Sequence, residues 1–213
     1  MRAVAFFDVD GTLVPGISSA VYLGGYLGHQ EAVAEAEAAW DAGLMDPRSV
    51  EELDARGWAG TSEAQIREWL EDIPLVDGIA EVVEWCHAHE VVPALATLAW
   101  RPVGEFLCSR FGFVEASGPT LEVRDGIYTG ISLTGSDEFK KRDFARDFAN
   151  NHGLTLSGCA AIGDSLSDLP LFAEVGLAIG FNATQKARAL AHTNHTGPDL
   201  RAILPAFEAW LGS

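Results

Sequence analysis

The stretch Phe6-Phe7-Asp8-Val9-Asp10-Gly11-Thr12 sets two carboxylates two positions apart, directly behind an apolar run at residues 3–7. A lone aspartate in that place serves as a turn residue or a helix cap. This pair has company. A second apolar run, VVPALA at 91–96, ends in Thr97, and a third, CAAIG at 159–163, leads into Asp164-Ser165 with Asp168 four residues beyond Asp164. Carboxylates gathered from separate runs repel one another and raise each other's pKa values, a conflict that a divalent cation resolves. With oxygen donors only, and no histidine or cysteine among them, the expected ion is Mg²⁺. Asp8, Asp10, Asp164 and Asp168 are its candidate ligands.

Such a meeting requires strands that end on one edge. Residues 3–7 are apolar without alternation, the pattern of a fully buried strand. From Pro74 onward, helices at about 78–88, 102–110 and 139–151 alternate with strands at 91–96, 159–163 and 176–180, and a last helix ends near Leu211. Phe144 and Phe148 mark the apolar side of the third of these helices. LEVRDGIYTGISL (121–133) reads as two β runs around Asp125-Gly126, a hairpin. The alternation predicts an α/β fold, a Rossmann-like three-layer α/β/α core on a parallel sheet, which binds ligands outside the carboxyl ends of its strands. Residues 17–71 break the alternation. They read as helices, with alanine and glutamate at 32–40 and a capping box at Ser62 and Gln65. The expected organisation is a core of residues 1–14 and 76–213 with a helical cap at 15–75.

The sequence has 213 residues, 48% of them hydrophobic, and a formal charge of −17. That charge repels a phosphate polymer and there is no basic stripe, so nucleic acid is excluded as a partner. A small phosphorylated metabolite is compatible with it, because a local metal ion or lysine overrides the global field. Cys86, Cys108 and Cys159 form neither a disulfide framework nor a zinc pattern. The first apolar run stops at Asp8, too early for a signal peptide or a membrane span. A cytoplasmic protein without a membrane partner is expected.

DVDGTLV, Thr97 at a strand end, a lysine on a helix and GDSLSD (163–168) together resemble the four motifs of the haloacid-dehalogenase-like hydrolases. The helical insert and the DG hairpin are most similar to the phosphoserine-phosphatase-like branch. The resemblance implies a phosphoric monoester hydrolase working through an aspartyl-phosphate, with Asp8 as nucleophile and Asp10 as general acid and base. It implies that Thr97 and a lysine hold the phosphoryl group, and that Gly11 and Thr12 line its cradle. It also gives the backbone carbonyl of Asp10 to the metal. Lys140 and Lys141 point about 100° apart on a helix, and the ungapped match selects Lys141. Asp10 favours phosphate chemistry over dehalogenation, since a halide needs no acid.

The substrate is less legible. The branch carries a glutamate for the substrate ammonium where this chain has Ile17, and Leu98-Ala99 replace a glycine pair, making the wall bulkier. Arg48 and Arg56 are candidates for holding a substrate carboxylate. Trp58, in ARGWAG, and Trp100-Arg101 suit an uncharged hydroxylated leaving group such as a sugar, while Trp40 and Trp69 read as cap core. The expected substrate-binding set is Gly11, Thr12, Ile17, Trp58, Thr97, Leu98 and Arg101. Phosphoserine hydrolysis, phosphoryl transfer to an acceptor alcohol, and a non-catalytic regulatory role are the alternatives.

Overall fold

The computed structural model describes residues 2–135, 137 and 139–212; Met1 and the remaining positions of 76–213 lie outside the described residues. Strand β1 (Ala3–Phe7) is followed by four helices, α1 (Ser19–Leu27), α2 (Gln30–Asp41), α3 (Pro47–Gly57) and α4 (Glu63–Leu70). The chain then continues through α5 (Ile79–Ala88), β2 (Val91–Leu95), α6 (Arg101–Phe111) and a hairpin of β3 (Leu121–Arg124) and β4 (Ile127–Ser132). After it come α7 (Lys140–Asn151), β5 (Cys159–Gly163), α8 (Leu169–Phe172), β6 (Leu177–Phe181), α9 (Gln185–Leu190), β7 (Thr193–His195) and α10 (Leu204–Gly212).

Five strands form one parallel sheet in the order β2-β1-β5-β6-β7. The first strand is interior but second from an edge; β5 holds the middle. β7 was not foreseen, because Thr193-Asn194-His195 is a short polar edge strand with no apolar pattern to announce it. Pro93 sits in β2, an edge strand of this sheet, where a missing donor is tolerated. Residues 114–117 run along that edge, with Val114 N–H donating to the Pro93 carbonyl at 2.9 Å.

The pleat sorts side chains onto two faces. Ala5, Phe7, Leu95, Ile162 and Ile179 pack with α5, α6 and α10, while Val4, Phe6, Ala94, Ala161 and Ala178 pack with α7, α8 and α9. This is the expected three-layer core. Phe6 meets Phe144 and Phe148 edge-on, with centroids at 6.4 and 5.9 Å. Burying Phe6 contributes about 2–3 kcal/mol and fixes α7 against β1.

The helical segment leaves and rejoins the core at one place. Asp10 bridges to Val14, and Val76 N–H donates to the Leu13 carbonyl at 3.0 Å. Ser62 and Gln65 form the expected capping box of α4. Asp125 (φ 52°) and Gly126 (φ 76°) make the tight hairpin turn. The hairpin docks onto the helices: Gly60 N–H donates to the Tyr128 carbonyl and Tyr128 N–H to the Thr61 carbonyl, both at 2.9 Å. The apolar interior of these helices (Ala55, Trp58, Ile66, Leu70) is continuous with the α5–α6 side of the sheet.

Candidate active site

Register builds the site. Phe7 pairs with Leu95 on one side and Ile162 on the other. One residue further, the chain places Asp8 level with Ala96 and Gly163, just short of Thr97 and Asp164. A pocket of about 470 Å³ opens there, lined by Asp8, Asp10, Gly11, Thr97, Lys141 and Asp164, among others. Three strand ends and one helix thus supply its polar floor.

Lys141 shares the buried face of α7 with Ala145 and Phe148, at i, i+4 and i+7. That face lies on the sheet, so the lysine is carried to the strand ends while Lys140 stays exposed. The Lys141 ammonium sits 2.8 Å from Asp8 Oδ1 and 2.8 Å from Asp168 Oδ1. All three side chains are 3% exposed. The other oxygen of Asp168 accepts from the backbone N–H groups of Asp164 and Ser165, each at 3.0 Å. Asp168 therefore ties the loop after β5 to the lysine.

Two glycines permit this closeness. A Cβ on Gly163 would overlap the Asp168 carboxylate, and one on Gly11 would overlap that of Asp164. Gly11 also takes a left-handed conformation, φ 84°, which turns the chain back beneath the acids.

Charge is unbalanced here. Asp8, Asp164 and Asp168 each bring a carboxylate oxygen within 4.8 Å of the others, against one ammonium. Burial, and then the neighbouring Asp168, push the Asp8 carboxyl well above its ordinary range. The same two causes push Asp164 up to about 7. Burial works against the charge of Lys141, but Asp168 and Asp8 outweigh it and hold its pKa above the usual lysine value. Asp10 is turned away from this cluster: Ser19 N–H, at the start of α1, donates to Asp10 Oδ1 at 2.6 Å. Burial raises its carboxyl as well.

The remaining expected residues divide. Ile17, Leu98, Thr97 and Gly11 line the pocket. Thr97 is locked in place, its N–H donating to Ser117 Oγ at 2.7 Å and its Oγ1 accepting from Ala99 N–H at 3.0 Å. Thr12 is fully buried beneath the pocket, where its hydroxyl donates to Asp164 Oδ1 at 3.2 Å. Trp58 does not reach a substrate. It is 0% exposed, wedged between Trp100 and Tyr128 with centroids at 5.8 and 5.0 Å, because the hairpin packs over the end of α3. Arg101 is directed to the Ala116 carbonyl (2.6 Å) and Glu105 (3.2 Å), beside a neighbouring cavity. Trp100 is buried and donates to Asp54 at 2.6 Å. Trp58 is thus packed inside, Trp100 borders a small cavity beside the pocket and Arg101 the neighbouring one, and Arg48 and Arg56 are exposed on α3, outside the lining of the main pocket.

Sequence reasoning missed Glu37 and Trp40, which line the pocket from α2. Trp40 was expected in the cap core. The signal was present: Val33, Ala36, Glu37 and Trp40 stand at i, i+3, i+4 and i+7, one helix face, with Val33 and Ala36 buried. Ser18 Oγ donates to Glu37 Oε1 at 2.8 Å, and burial pushes the Glu37 carboxyl up to about 7.

The sequence profile described as "haloacid dehalogenase-like hydrolase" matches residues 5–173, and the chain belongs to that family. It is 31% identical over 218 residues to the phosphoserine phosphatase SerB1 of Mycobacterium tuberculosis, a match covering 90% of this chain and 68% of that protein. It is 28% identical over 205 residues to a phosphoserine phosphatase of Streptomyces coelicolor, covering 95% of this chain and 50% of that one. The chain thus spans half the length of the first curated relatives it matches. Among solved structures, a substrate-bound phosphoserine phosphatase superposes with a TM-score of 0.85 at 21% identity, covering 97% of this chain and 98% of that one. A phospho-aspartyl intermediate analogue of phosphoserine phosphatase gives 0.84 at 22%, covering 96% and 98%. At these identities the likeness shows the fold.

Proposed function

We propose that the chain is a Mg²⁺-dependent phosphatase that hydrolyses the phosphomonoester of a small metabolite through an aspartyl-phosphate on Asp8. The observation that carries this reading is the Asp8 carboxylate at the end of β1, paired with buried Lys141 and facing a pocket that Asp10 also lines. Asp8 attacks phosphorus as the bond from phosphorus to the leaving oxygen breaks. Asp10, whose raised carboxyl favours the protonated form, gives its proton to that oxygen. Asp10 then takes a proton from water, whose oxygen attacks the phosphorus. The bond to Asp8 breaks, releasing inorganic phosphate and restoring both carboxyls. Lys141 and Thr97 hold the phosphoryl oxygens, and one such donor contributes about 3 kcal/mol. Asp168 positions Lys141.

The donor set fits Mg²⁺, being three clustered carboxylates with oxygen atoms only. Asp8 and Asp164 would hold the ion, with Asp168 behind them and the Asp10 carbonyl as the fourth donor. When bound, it supplies positive charge that offsets the acids and the phosphoryl group. The chain crossing at Val14 and Val76 supports a cap at 15–75 on a core of 1–14 and 76–213. Cys86 and Cys159 are buried and Cys108 is partly buried, all unpaired, which fits a reducing cytoplasm. No described helix is long and apolar enough to cross a membrane.

The test is to quench the enzyme during turnover with acid and seek a hydroxylamine-labile phosphoryl group on Asp8. Asp8→Asn should carry none and should lose turnover while remaining folded. Turnover by the folded variant at the parent's rate would refute the reading.

A further inference from the structure

Thr97 follows the end of β2, and Leu98-Ala99-Trp100 lead from it into α6. Its hydroxyl is already half used. Ala99 N–H donates to Thr97 Oγ1 at 3.0 Å, which leaves the hydroxyl its own hydrogen to donate. The direction of that hydrogen therefore depends on where Ala99 is held.

This loop is fixed from two sides. On the core side, Ser117 Oγ accepts from Thr97 N–H and donates to the Thr97 carbonyl, each at 2.7 Å, and Arg101 N–H donates to the Pro119 carbonyl at 2.9 Å. On the other side the contact comes from the helical segment. Trp100 is 3% exposed, and its Nε1 donates to Asp54 Oδ2 of α3, 46 residues earlier in the chain, at 2.6 Å. Packing against Trp58, with centroids 5.8 Å apart, confines the indole ring. The hydrogen bond fixes its rotation within that space.

Asp54 is occupied by this work. Its side chain is 3% exposed, and its Oδ1 accepts from His29 Nε2 at 2.6 Å. That bond raises the His29 pKa in spite of burial. A Cβ on Gly57 would overlap the His29 ring, so the bare backbone of α3 lets the imidazole reach the carboxylate. Asp54 borders the small cavity beside the pocket, but each of its oxygens already has a donor.

We infer that Asp54 is a positioning residue for the hydroxyl that holds the phosphoryl group. From the helical segment it anchors Trp100, Trp100 fixes the adjoining Ala99 N–H, and that N–H orients Thr97 Oγ1. The inference rests on the phosphatase reading above. Asp54 does not touch the reacting atoms, and its effect on turnover passes through Thr97.

A double-mutant cycle on kcat/KM for p-nitrophenyl phosphate with Mg²⁺ tests this. Asp54→Ala is made in the parent and in Thr97→Val, which lacks the hydroxyl. In the parent it should cost about ten- to a hundredfold, the scale of a misplaced catalytic group. In Thr97→Val it should cost about threefold or less, because the group it positions is gone. Trp100→Phe keeps a ring and loses the N–H, so it should show the same dependence on Thr97, and it decides the matter if Asp54→Ala does not fold. Asp54→Asn retains an acceptor for the indole and should keep most of the activity. The affinity for orthovanadate, a phosphoryl mimic, measured by calorimetry should fall in the same pattern without any turnover. Equal losses with and without the Thr97 hydroxyl would overturn the inference while the phosphatase reading stands. So would parental activity in folded Asp54→Ala or Trp100→Phe. A parent that does not hydrolyse p-nitrophenyl phosphate would instead overturn the phosphatase reading, and the inference with it.

Discussion

Removing an acid from the site should make the metal-free protein more stable. Asp164 is the case to test, because its carboxyl is raised from the ordinary 3.8 to about 7 by burial and by Asp168. At pH 8 the metal-free fold must hold it ionised, at a cost of roughly 4 kcal/mol relative to the unfolded chain. The sign follows from proton counts. Between pH 4 and 7 the folded state binds the proton and the unfolded state does not, so this group erodes stability as pH rises through that window. Above about 7 the erosion is complete. Asp164→Asn removes the charge and keeps an oxygen for the Thr12 hydroxyl. With EDTA at pH 8 the variant should be stabler than its parent by about 2 kcal/mol or more, raising the melting midpoint by about 4–8 °C. The advantage should shrink steadily on acidification and vanish near pH 4. Excess Mg²⁺ should reverse the order, since a cation that binds the folded parent stabilises it by mass action while the variant has lost a ligand. Thermal melts of both proteins, with and without Mg²⁺, measure all of this. An Asn variant that is no stabler than its parent in EDTA at pH 8, or whose advantage ignores pH, would refute the reasoning.

Two further outcomes follow from the same geometry. Asp10→Asn should slow alkyl phosphates far more than p-nitrophenyl phosphate, whose leaving oxygen needs no proton; equal slowing, measured as kcat on both substrates, would count against the acid role. Gly163→Ala should drive a methyl group into the Asp168 carboxylate. It should cost about 1–3 kcal/mol by denaturant unfolding and lower kcat by loosening Lys141, whereas unchanged stability and kcat would show that Asp168 relaxes freely.

The sequence by itself determined the layered core and the acids at its edge. Apolar runs at 3–7, 91–96, 159–163 and 176–180 can be buried only as sheet strands, and a polar residue ending such a run has to emerge where strands end. Asp8, Thr97 and Asp164 were therefore legible one element at a time. So were Ser62 and Gln65 as a cap and Asp125-Gly126 as a hairpin turn, since both depend on neighbours in sequence. β7 was not, because its strand character comes from its pairing with β6 and not from its own side chains. The choice of Lys141 over Lys140 became physical only when α7 laid Ala145 and Phe148 on the sheet.

The fate of the tryptophans was decided by the tertiary structure alone. Trp58 was sealed away by a hairpin some seventy residues further along the chain, roughly 240 Å if extended. Trp40 was turned toward the pocket because α2 packs through Val33 and Ala36. The same packing carried Glu37 to the wall of the pocket that Ile17 also lines. The proposed catalytic groups lie in short motifs at strand ends, so a linear reading can single them out. A leaving-group pocket is assembled from the faces of helices that meet only in space, so its charge could be read only after the chain had folded.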